Sequence, residues 1–203
     1  MPASKPRKSK SKAQRLKELI ERNQELSPEE ALDPAREYAL RLLDQRDYPS
    51  AQIRNKLLGR GYHPEAVEEV VTRLTDAKLL DDARYAQMLA RTQHQMRGLA
   101  RRAIAQEMRR KGLSAAESAE ALEQITDESE AQAAEKLALK KAATTVRLPN
   151  EVRRRRIASM LARRGYNASV AYRATAAALA EYSSQTDDSN HSSDETDHFW
   201  SAD

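Results

Sequence analysis

The sequence has no cysteine, which excludes disulfide bonds and metal sites built on thiolates. Aromatic residues make up only 4% of its 203 residues, so a surface that stacks the bases of a single strand is weakly supported. No run approaches the roughly 18 apolar residues of a membrane-spanning helix, and the basic N-terminus lacks the apolar segment of a signal peptide. The composition therefore predicts a soluble cytoplasmic protein with no membrane partner.

Residues typical of an active site are also scarce. No glycine-rich phosphate loop occurs, and two of the four histidines fall in the acidic C-terminal residues. Asp81 and Asp82 are adjacent, so on a helix their side chains diverge by about 100° and suit a helix N-terminus better than a shared metal. His63 stands at a position equivalent to Ser114 and Asn167, where a helix cap is expected. We predict no catalysis, no cofactor and no metal.

What the chain does contain is a repeated helical pattern. Gly61, Gly112 and Gly165 are each preceded by apolar residues at offsets −8 and −4 and followed by one at +1. These apolar residues are Ile53, Leu57 and Tyr62, then Ile104, Met108 and Leu113, then Ile157, Leu161 and Tyr166. The first two offsets lie on one face of a helix, and the glycine suits the left-handed residue that follows its end. Self-similarity of this kind is typical of a repeat protein.

The remaining signals divide each repeat into three short helices. Ser27-Pro28-Glu29-Glu30 is typical of a helix start, Asp33-Pro34 offers a second start, and Ser50 is expected to cap the next helix. Leu58 and Met88 are among the residues expected in the core. No segment alternates with a period of two, so strands are not predicted.

We therefore predict an all-α chain of about nine helices, arranged as three tandem three-helix repeats in an elongated, curved array with disordered termini. The predicted boundaries are a basic, mostly disordered arm at 1–33, repeats at 34–80, 81–126 and 127–182, and an acidic disordered tail at 183–203.

Positive charge is concentrated in two regions of the chain. Residues 97–111 hold six bases against Glu107, and residues 136–164 hold ten bases against Glu151, whereas residues 28–82 hold twelve acids against eight bases. The planar fork of arginine suits phosphate or carboxylate pairing. Because so many bases would otherwise repel one another, we expect an anionic partner, and DNA, RNA and an acidic protein groove all meet this requirement. The alternative is a solvated surface neutralised by the acids of residues 114–135.

The repeat places several of these bases at equivalent positions, which predicts a ladder of similar basic faces on two middle helices. The predicted partner-binding residues are Arg97, Arg101, Arg102, Arg109, Arg110, Lys111, Lys140, Lys141, Arg153, Arg154, Arg155, Arg156, Arg163 and Arg164.

The two ends of the chain have opposite charge. Residues 1–17 hold seven bases and no acid, and residues 183–203 hold six acids and no Lys or Arg. The basic arm either contacts nucleic acid or is a solvated segment. The acidic tail either lies over the protein's own basic face or only aids solubility, with Phe199 and Trp200 as a possible docking segment.

Three segments in order resemble one known family. They are LLGRGY ending at Tyr62, LDDARYA over 80–86 and GLARRAIAQEMRRKGL over 98–113. The chain resembles, over about residues 35–180, the RecX family of regulators of the RecA recombinase. The resemblance implies tandem three-helix repeats and a non-enzymatic function, since family members bind in the groove of RecA filaments and usually damp ATP hydrolysis and strand exchange. Some also bind DNA.

Two functions are therefore expected. In the first, the protein regulates homologous recombination and DNA repair as a monomer that binds the RecA filament and most often inhibits it. In the alternative, it binds single- or double-stranded DNA directly, either by sequence-indifferent phosphate contacts or as a helix-turn-helix-like repressor.

Overall fold

The computed structural model describes residues 11–191, with side chains described through Tyr182. Within this range the chain forms ten α-helices and no strand, so the all-α prediction is confirmed. The helices are α1 (Lys12–Gln24), α2 (Pro28–Leu43), α3 (Ser50–Leu58), α4 (Pro64–Asp76), α5 (Asp82–Arg97), α6 (Arg101–Lys111), α7 (Ala115–Glu123), α8 (Asp127–Ala143), α9 (Asn150–Arg163) and α10 (Ala168–His191). None of the helices in the described range is long and apolar enough to span a membrane.

Helix α1 is one more helix than the nine predicted, and it lies where the sequence suggests a disordered arm. Ser11 begins it with a capping box, in which the Ser11 hydroxyl accepts the Gln14 N–H and the Gln14 side chain accepts the Ser11 N–H. Asn23 is 5% exposed and donates its side-chain amide to the Arg60 carbonyl at 2.8 Å. The prediction of disorder is therefore wrong for residues 12–24, while residues 1–10 and 192–203 lie outside the described residues.

The chain divides into two compact units. Unit 1 comprises residues 1–86 and 108–118, and unit 2 comprises residues 87–107 and 119–203. The divisions fall inside α5, α6 and α7, so the second repeat contributes residues to both units. The repeat boundaries at 34, 81 and 127 remain a prediction.

Unit 1 is organised around α2, α3 and α4. Its core combines alanines of α2 with Ile53 and Leu57 of α3 and the valines of α4. Ser27 caps α2 as predicted, but Pro34 lies inside that helix, so no second start is used. Ser50 is not the cap of α3: Pro49 is the N-cap, and the Ser50 N–H donates to the Asp82 carboxylate at 2.7 Å. An acid from α5 thus caps α3.

Unit 2 is organised around α8, α9 and α10. Its core is mostly alanine, with Ile157 and Leu161 of α9 as the larger side chains. Thr126 caps α8, and the Asn167 side chain accepts the Val170 N–H at 2.8 Å, which confirms the predicted cap of α10. Because alanine side chains are small, α8 and α10 can pack with their backbones close together.

The repeated glycines behave as predicted. Gly61, Gly112 and Gly165 have φ values of +86°, +87° and +90°, the left-handed region that side chains disfavour. A Cβ at Gly165 would also lie 2.7 Å from the Ala103 Cβ, so this corner requires glycine for space as well. The repeat's nine apolar residues are all buried.

Two predicted core residues are wrong, because Leu58 is 40% exposed and Met88 is 43% exposed. Leu58 comes one residue after the buried Leu57, and Met88 comes two residues after the buried Ala86. Neither spacing keeps a side chain on the same face of an α-helix, so both side chains point towards solvent.

Candidate anionic-partner interface

Most of the predicted cations lie on two middle helices. Helix α6 buries Ile104 and Met108, and α9 buries Ile157 and Leu161, so the remaining surface of each helix is available to its basic residues. The exposed members of the predicted set are Arg97, Arg102, Arg109, Arg110, Lys140, Arg154, Arg155, Arg156 and Arg163. The half-buried members are Arg101, Lys111, Lys141 and Arg164, and Arg153 is buried.

The structure brings some of these residues together within a unit. Arg154, Arg155 and Arg156 are consecutive and exposed near the start of α9, in unit 2. Arg109 and Arg110, at the end of α6, belong to unit 1. The ladder along all three repeats therefore remains a prediction, and each cluster is considered within its own unit.

Arg101 has intramolecular partners. Its backbone N–H donates to Glu130 at 2.9 Å, and its guanidinium donates to Glu130 at 3.0 Å and also to Asp127. The hydrogen bond to the Asp127 carboxylate, followed by those to Glu130, raises the pKa of Arg101 above its ordinary value. These acids from α8 hold the N-terminus of α6, so Arg101 has a structural role in unit 2 and we leave it out of the candidate interface.

Arg153 differs from its three neighbours because it points inward. It is 6% exposed, and its Nη1 donates to the Asn150 side chain at 3.3 Å. Its guanidinium carbon lies 5.9 Å from the centre of the Tyr182 ring. Its Nε and Nη2 are buried and have no hydrogen-bond acceptor among the described residues. A buried side chain of this kind cannot reach across a surface to a large partner, so Arg153 is also left out.

Arg164 also forms hydrogen bonds within the protein. Its Nη1 donates to the Arg97 carbonyl, and its own carbonyl accepts the Ala100 N–H at 3.0 Å. The neighbouring Tyr166 hydroxyl donates to the Gly98 carbonyl at 3.0 Å. These bonds join the glycine corner after α9 to the segment before α6, all within unit 2.

The exposed arginines have few acidic neighbours. Arg154 pairs with Glu151 at 3.1 Å, but both side chains are exposed, and such a pair contributes only about 0–1 kcal/mol. Within residues 11–182, no carboxylate lies within 4.0 Å of Arg102, Arg155 or Arg156. Their guanidinium groups are therefore free to donate to carboxylates or phosphates of another molecule.

The sequence alone did not identify the acids that bind Arg101 and so separate it from the arginines without carboxylate partners. Asp127 and Glu130 belong to the acidic stretch 114–135, for which some pairing is expected, but their partner could not be assigned from spacing. The sequence does contain one signal that Arg153 points inward. It lies four residues before the buried Ile157, and residues four apart share one face of a helix.

Comparison with known proteins identifies the family. Models of the first, second and third three-helix domains of RecX match residues 35–74, 81–122 and 128–175. Regulatory protein RecX of Streptomyces lividans is 38% identical over 168 residues, which cover 83% of this chain and 88% of that protein. Regulatory protein RecX of Thermobifida fusca is 37% identical over 147 residues, which cover 72% of this chain and 80% of that protein.

Solved structures agree with this assignment. A crystal structure of a regulatory protein RecX matches with a TM-score of 0.64 at 28% identity, covering 70% of each chain. The crystal structure of RecX from Lactobacillus salivarius matches with a TM-score of 0.65 at 20% identity over 72% of this chain and 96% of that chain, a likeness of fold. With three three-helix domains in the family's order and relatives that span most of its length, the chain belongs to the RecX family of regulatory proteins.

Proposed function

We propose that this protein regulates homologous recombination by binding the RecA nucleoprotein filament and damping its ATP hydrolysis and strand exchange. Membership of the RecX family supports RecA as the partner. The observation that supports the mode of contact is the group of exposed arginines on α6 and α9 that lack carboxylate partners among the described residues. The protein acts in the cytoplasm and by binding, without catalysing a reaction.

The proposed binding surface consists of Arg102 on α6 and Arg155 and Arg156 on α9. All three belong to unit 2 and are exposed. A filament of protein wound on DNA presents both carboxylates and phosphates, and the guanidinium fork binds either in a bidentate manner. Arg109, Arg110 and Lys111 of unit 1 are proposed as a second cluster.

The test compares two triple variants that remove the same number of charges. Arg102→Gln/Arg155→Gln/Arg156→Gln removes the proposed contacts, and Arg22→Gln/Arg84→Gln/Arg91→Gln removes three exposed arginines elsewhere. We expect the wild type and the control to lower DNA-dependent ATP hydrolysis and strand exchange by RecA. The first variant should bind filaments about tenfold more weakly, because three exposed ion pairs of roughly 0.5 kcal/mol each contribute about 1.4 kcal/mol together. Unchanged RecA rates and no co-sedimentation at stoichiometric excess of the wild type would contradict the proposal.

A second candidate function is direct binding of DNA by exposed arginines of α9. It is favoured by the consecutive exposed residues Arg154 and Arg155, which suit phosphate contacts that do not depend on sequence. Measured without RecA, DNA affinity should fall steeply with salt. Arg154→Ala/Arg155→Ala should lessen the slope of log K against log salt by about 0.7–0.9 for each phosphate that the variant no longer binds. Binding that ignores both salt and these substitutions would exclude this function.

A further inference from the structure

The middle helices of the first two repeats, α3 and α6, each bind the start of the next repeat's first helix. Asp82, the first residue of α5, accepts the Ser50 N–H of α3 at 2.7 Å. Asp127, the first residue of α8, and Glu130 in the same turn accept the Arg101 guanidinium of α6. Each of these contacts lies within one unit. In both, an acidic first helical turn binds the start of a middle helix.

The segments that dock in this way share a second feature, an aliphatic residue two positions before the first acid. Leu80 precedes Asp82, and Ile125 precedes Asp127, and each of the two aliphatic side chains is 2% exposed. In unit 1, Leu80 and Asp82 line one pocket together with Ser50 of α3. The docking segment therefore supplies a side chain to an apolar surface and a carboxylate to the adjacent helix start.

The third repeat has an arginine at the equivalent position of its middle helix, α9. Arg154, Arg101 and Ser50 each lie eleven residues before the left-handed glycine of their repeat. Acids of the following helix bind Arg101, whereas Arg154 pairs with Glu151 of its own helix at 3.1 Å. Both side chains of the latter pair are exposed, so the pair is weak and another carboxylate can replace Glu151. Arg154 is thus available to the kind of acid that binds Arg101.

An apolar groove lies beside Arg154, between α9 and α10 in unit 2. Its volume is about 460 Å³, which is ample for one aliphatic side chain. The groove is lined by Ala158 and Ala162 of α9 and by the buried Ala171 of α10. Tyr172 also lines it and is 72% exposed, so its ring can pack against an incoming side chain. The third repeat therefore presents an apolar surface and a cation side by side, the two features that a docking segment requires.

Charge and helix composition indicate which molecule can fill the groove. Residues 150–180 contain seven arginines and one acid, Glu151, so a segment with carboxylates is favoured. Among the ten described helices, only α5 and α8 begin with an acid, and both acids are bound within the chain. A second copy of the described chain offers no free segment of this kind, so the expected occupant is a different protein.

We propose that the groove between α9 and α10 binds the acidic N-terminal turn of an α-helix from a partner protein. A carboxylate of that turn binds Arg154, and an aliphatic side chain two residues before it enters the groove beside Tyr172. The partner helix takes the place that the first helix of a following repeat would occupy. This inference concerns a surface other than Arg102, Arg155 and Arg156, and it does not depend on RecA being the partner.

The test uses the full chain and a peptide copied from its own docking segment. The probe is a fluorescein-labelled peptide with the sequence of residues 123–140, which includes Ile125 and the acidic first turn of α8. A second peptide carries Asp127→Asn/Glu130→Gln and lacks both acids that bind Arg101. Fluorescence anisotropy at low salt measures the affinity of each peptide. The chain's own α8 stays in place, because its covalent attachment gives it a far higher effective concentration.

Three protein variants, all at exposed positions, separate the groove from general positive charge. Arg154→Gln removes the proposed ion pair, and Tyr172→Ala removes the aromatic surface of the groove. Arg173→Gln is the matched control, because Arg173 is an exposed arginine of α10 that does not line the groove. We expect Arg154→Gln and Tyr172→Ala each to weaken binding of the acidic peptide about fivefold, and Arg173→Gln to leave it unchanged.

The two peptides and Arg154→Gln together form a double-mutant cycle. Loss of the peptide's acids should weaken binding to the wild type about fivefold and should have no effect on binding to Arg154→Gln, because both changes remove the same ion pair. Absence of peptide binding, or equal affinities of Arg154→Gln and Arg173→Gln, would overturn the proposal. Additive losses in the cycle would overturn Arg154 as the site of the acid.

The same preparations distinguish the other possible occupants. A wild-type chain that sediments as a dimer at the assay concentration, and that Arg154→Gln converts to a monomer, would assign the groove to a second copy. An oligothymidylate that binds in place of the peptide, and that Tyr172→Ala releases, would assign it to a nucleic acid. Either result would overturn the proposal of a partner helix.

Discussion

The two units are built from the same repeat but are packed by different side chains. In unit 1 the core is dominated by branched aliphatic residues, including Val67, Val70 and Leu74 of α4. In unit 2, alanines are the majority of the residues that form the core cluster. Unit 1 is therefore stabilised by the apolar area that its large side chains bury, whereas unit 2 depends on close approach of helix backbones. Both units nevertheless contain the left-handed glycine of the repeat, Gly61 and Gly112 in unit 1 and Gly165 in unit 2.

The surfaces differ in a corresponding way. In unit 1, Arg54 on α3 forms a bidentate ion pair with Glu68 on α4, at 2.6 and 3.0 Å, and this hydrogen bonding lowers the pKa of Glu68. In unit 2, Arg155 and Arg156 on α9 have no such partner among the described residues. The middle helix of unit 1 thus has an arginine, Arg54, that is paired within its unit, whereas Arg155 and Arg156 on the middle helix of unit 2 are available for binding.

The largest expected effect concerns the aliphatic packing of unit 1. Leu57→Ala removes a fully buried side chain and should lower the free energy of unfolding by about 3 kcal/mol, through reduced burial and a residual cavity. The neighbouring Leu58→Ala, at an exposed position, should cost less than about 1 kcal/mol. Urea denaturation measures both. Equal changes in the free energy of unfolding for the two substitutions would show that burial of large side chains does not stabilise unit 1.

A slightly smaller effect is expected at the glycine corner of unit 2. Gly165→Ala forces a side chain into a left-handed φ and against Ala103, which should cost about 2–3 kcal/mol. The matched substitution Gly59→Ala lies at a right-handed residue of unit 1 and should change the unfolding free energy by less than about 1 kcal/mol. Thermal unfolding of the two variants measures both changes. If Gly165→Ala leaves the unfolding free energy unchanged, neither the left-handed φ nor the close approach of Ala103 requires glycine at this position.

The alanine core of unit 2 can be tested by adding volume. Ala138→Leu inserts a larger side chain between packed helices and should cost about 2 kcal/mol, because α8 must move from its neighbours. Ala143→Leu, at an exposed position of the same helix, should cost less than about 0.5 kcal/mol. If Ala138→Leu instead stabilises the protein, unit 2 is loosely packed and the contrast between the units fails.

The smallest effect concerns the hydroxyl of Tyr166. Burial, and to a lesser degree the charge of Glu130, raises the pKa of Tyr166 to about 12. Because an unfolded tyrosine titrates near about 10, the folded chain holds this proton more tightly, so the stabilisation is complete below about pH 10 and disappears as the pH rises to about 12. Tyr166→Phe should cost about 1 kcal/mol at neutral pH and reduce the fall in stability between about pH 10 and 12.

Denaturation at several pH values measures this difference, with Tyr172→Phe as the control, since Tyr172 is 72% exposed. If the stability of Tyr166→Phe falls as much as that of the wild type across this pH range, titration of the Tyr166 hydroxyl is not the cause of the fall.

Local sequence signals predicted much of this fold. The glycine corners, the buried repeat positions and the caps at Ser27 and Asn167 all depend on residues close together in the chain. Helix α1 escaped prediction although its capping box, Ser11 with Gln14, is a local signal; the contact that holds it to the rest of unit 1, Asn23 with Arg60, is distant in sequence. The cap of α3 escaped for the same reason, since Asp82 comes from another helix.

The candidate interface was less predictable than the fold. Composition located the arginine clusters, but it could not separate Arg101 and Arg153 from their exposed neighbours. That separation depends on Glu130, which reaches Arg101 from another helix, and on Tyr182, which packs over Arg153 from α10. Charge counts along the chain record neither interaction.

The most direct measurement is arginine-specific chemical modification of the full chain, followed by mass spectrometry, with and without RecA filaments on single-stranded DNA. We predict that filaments shield Arg102, Arg155 and Arg156, while Arg22, Arg84 and Arg91 remain as reactive as in the free chain. Equal reactivity of the two sets in the presence of saturating filaments would contradict the proposal that the unpaired arginines of α6 and α9 form the binding surface.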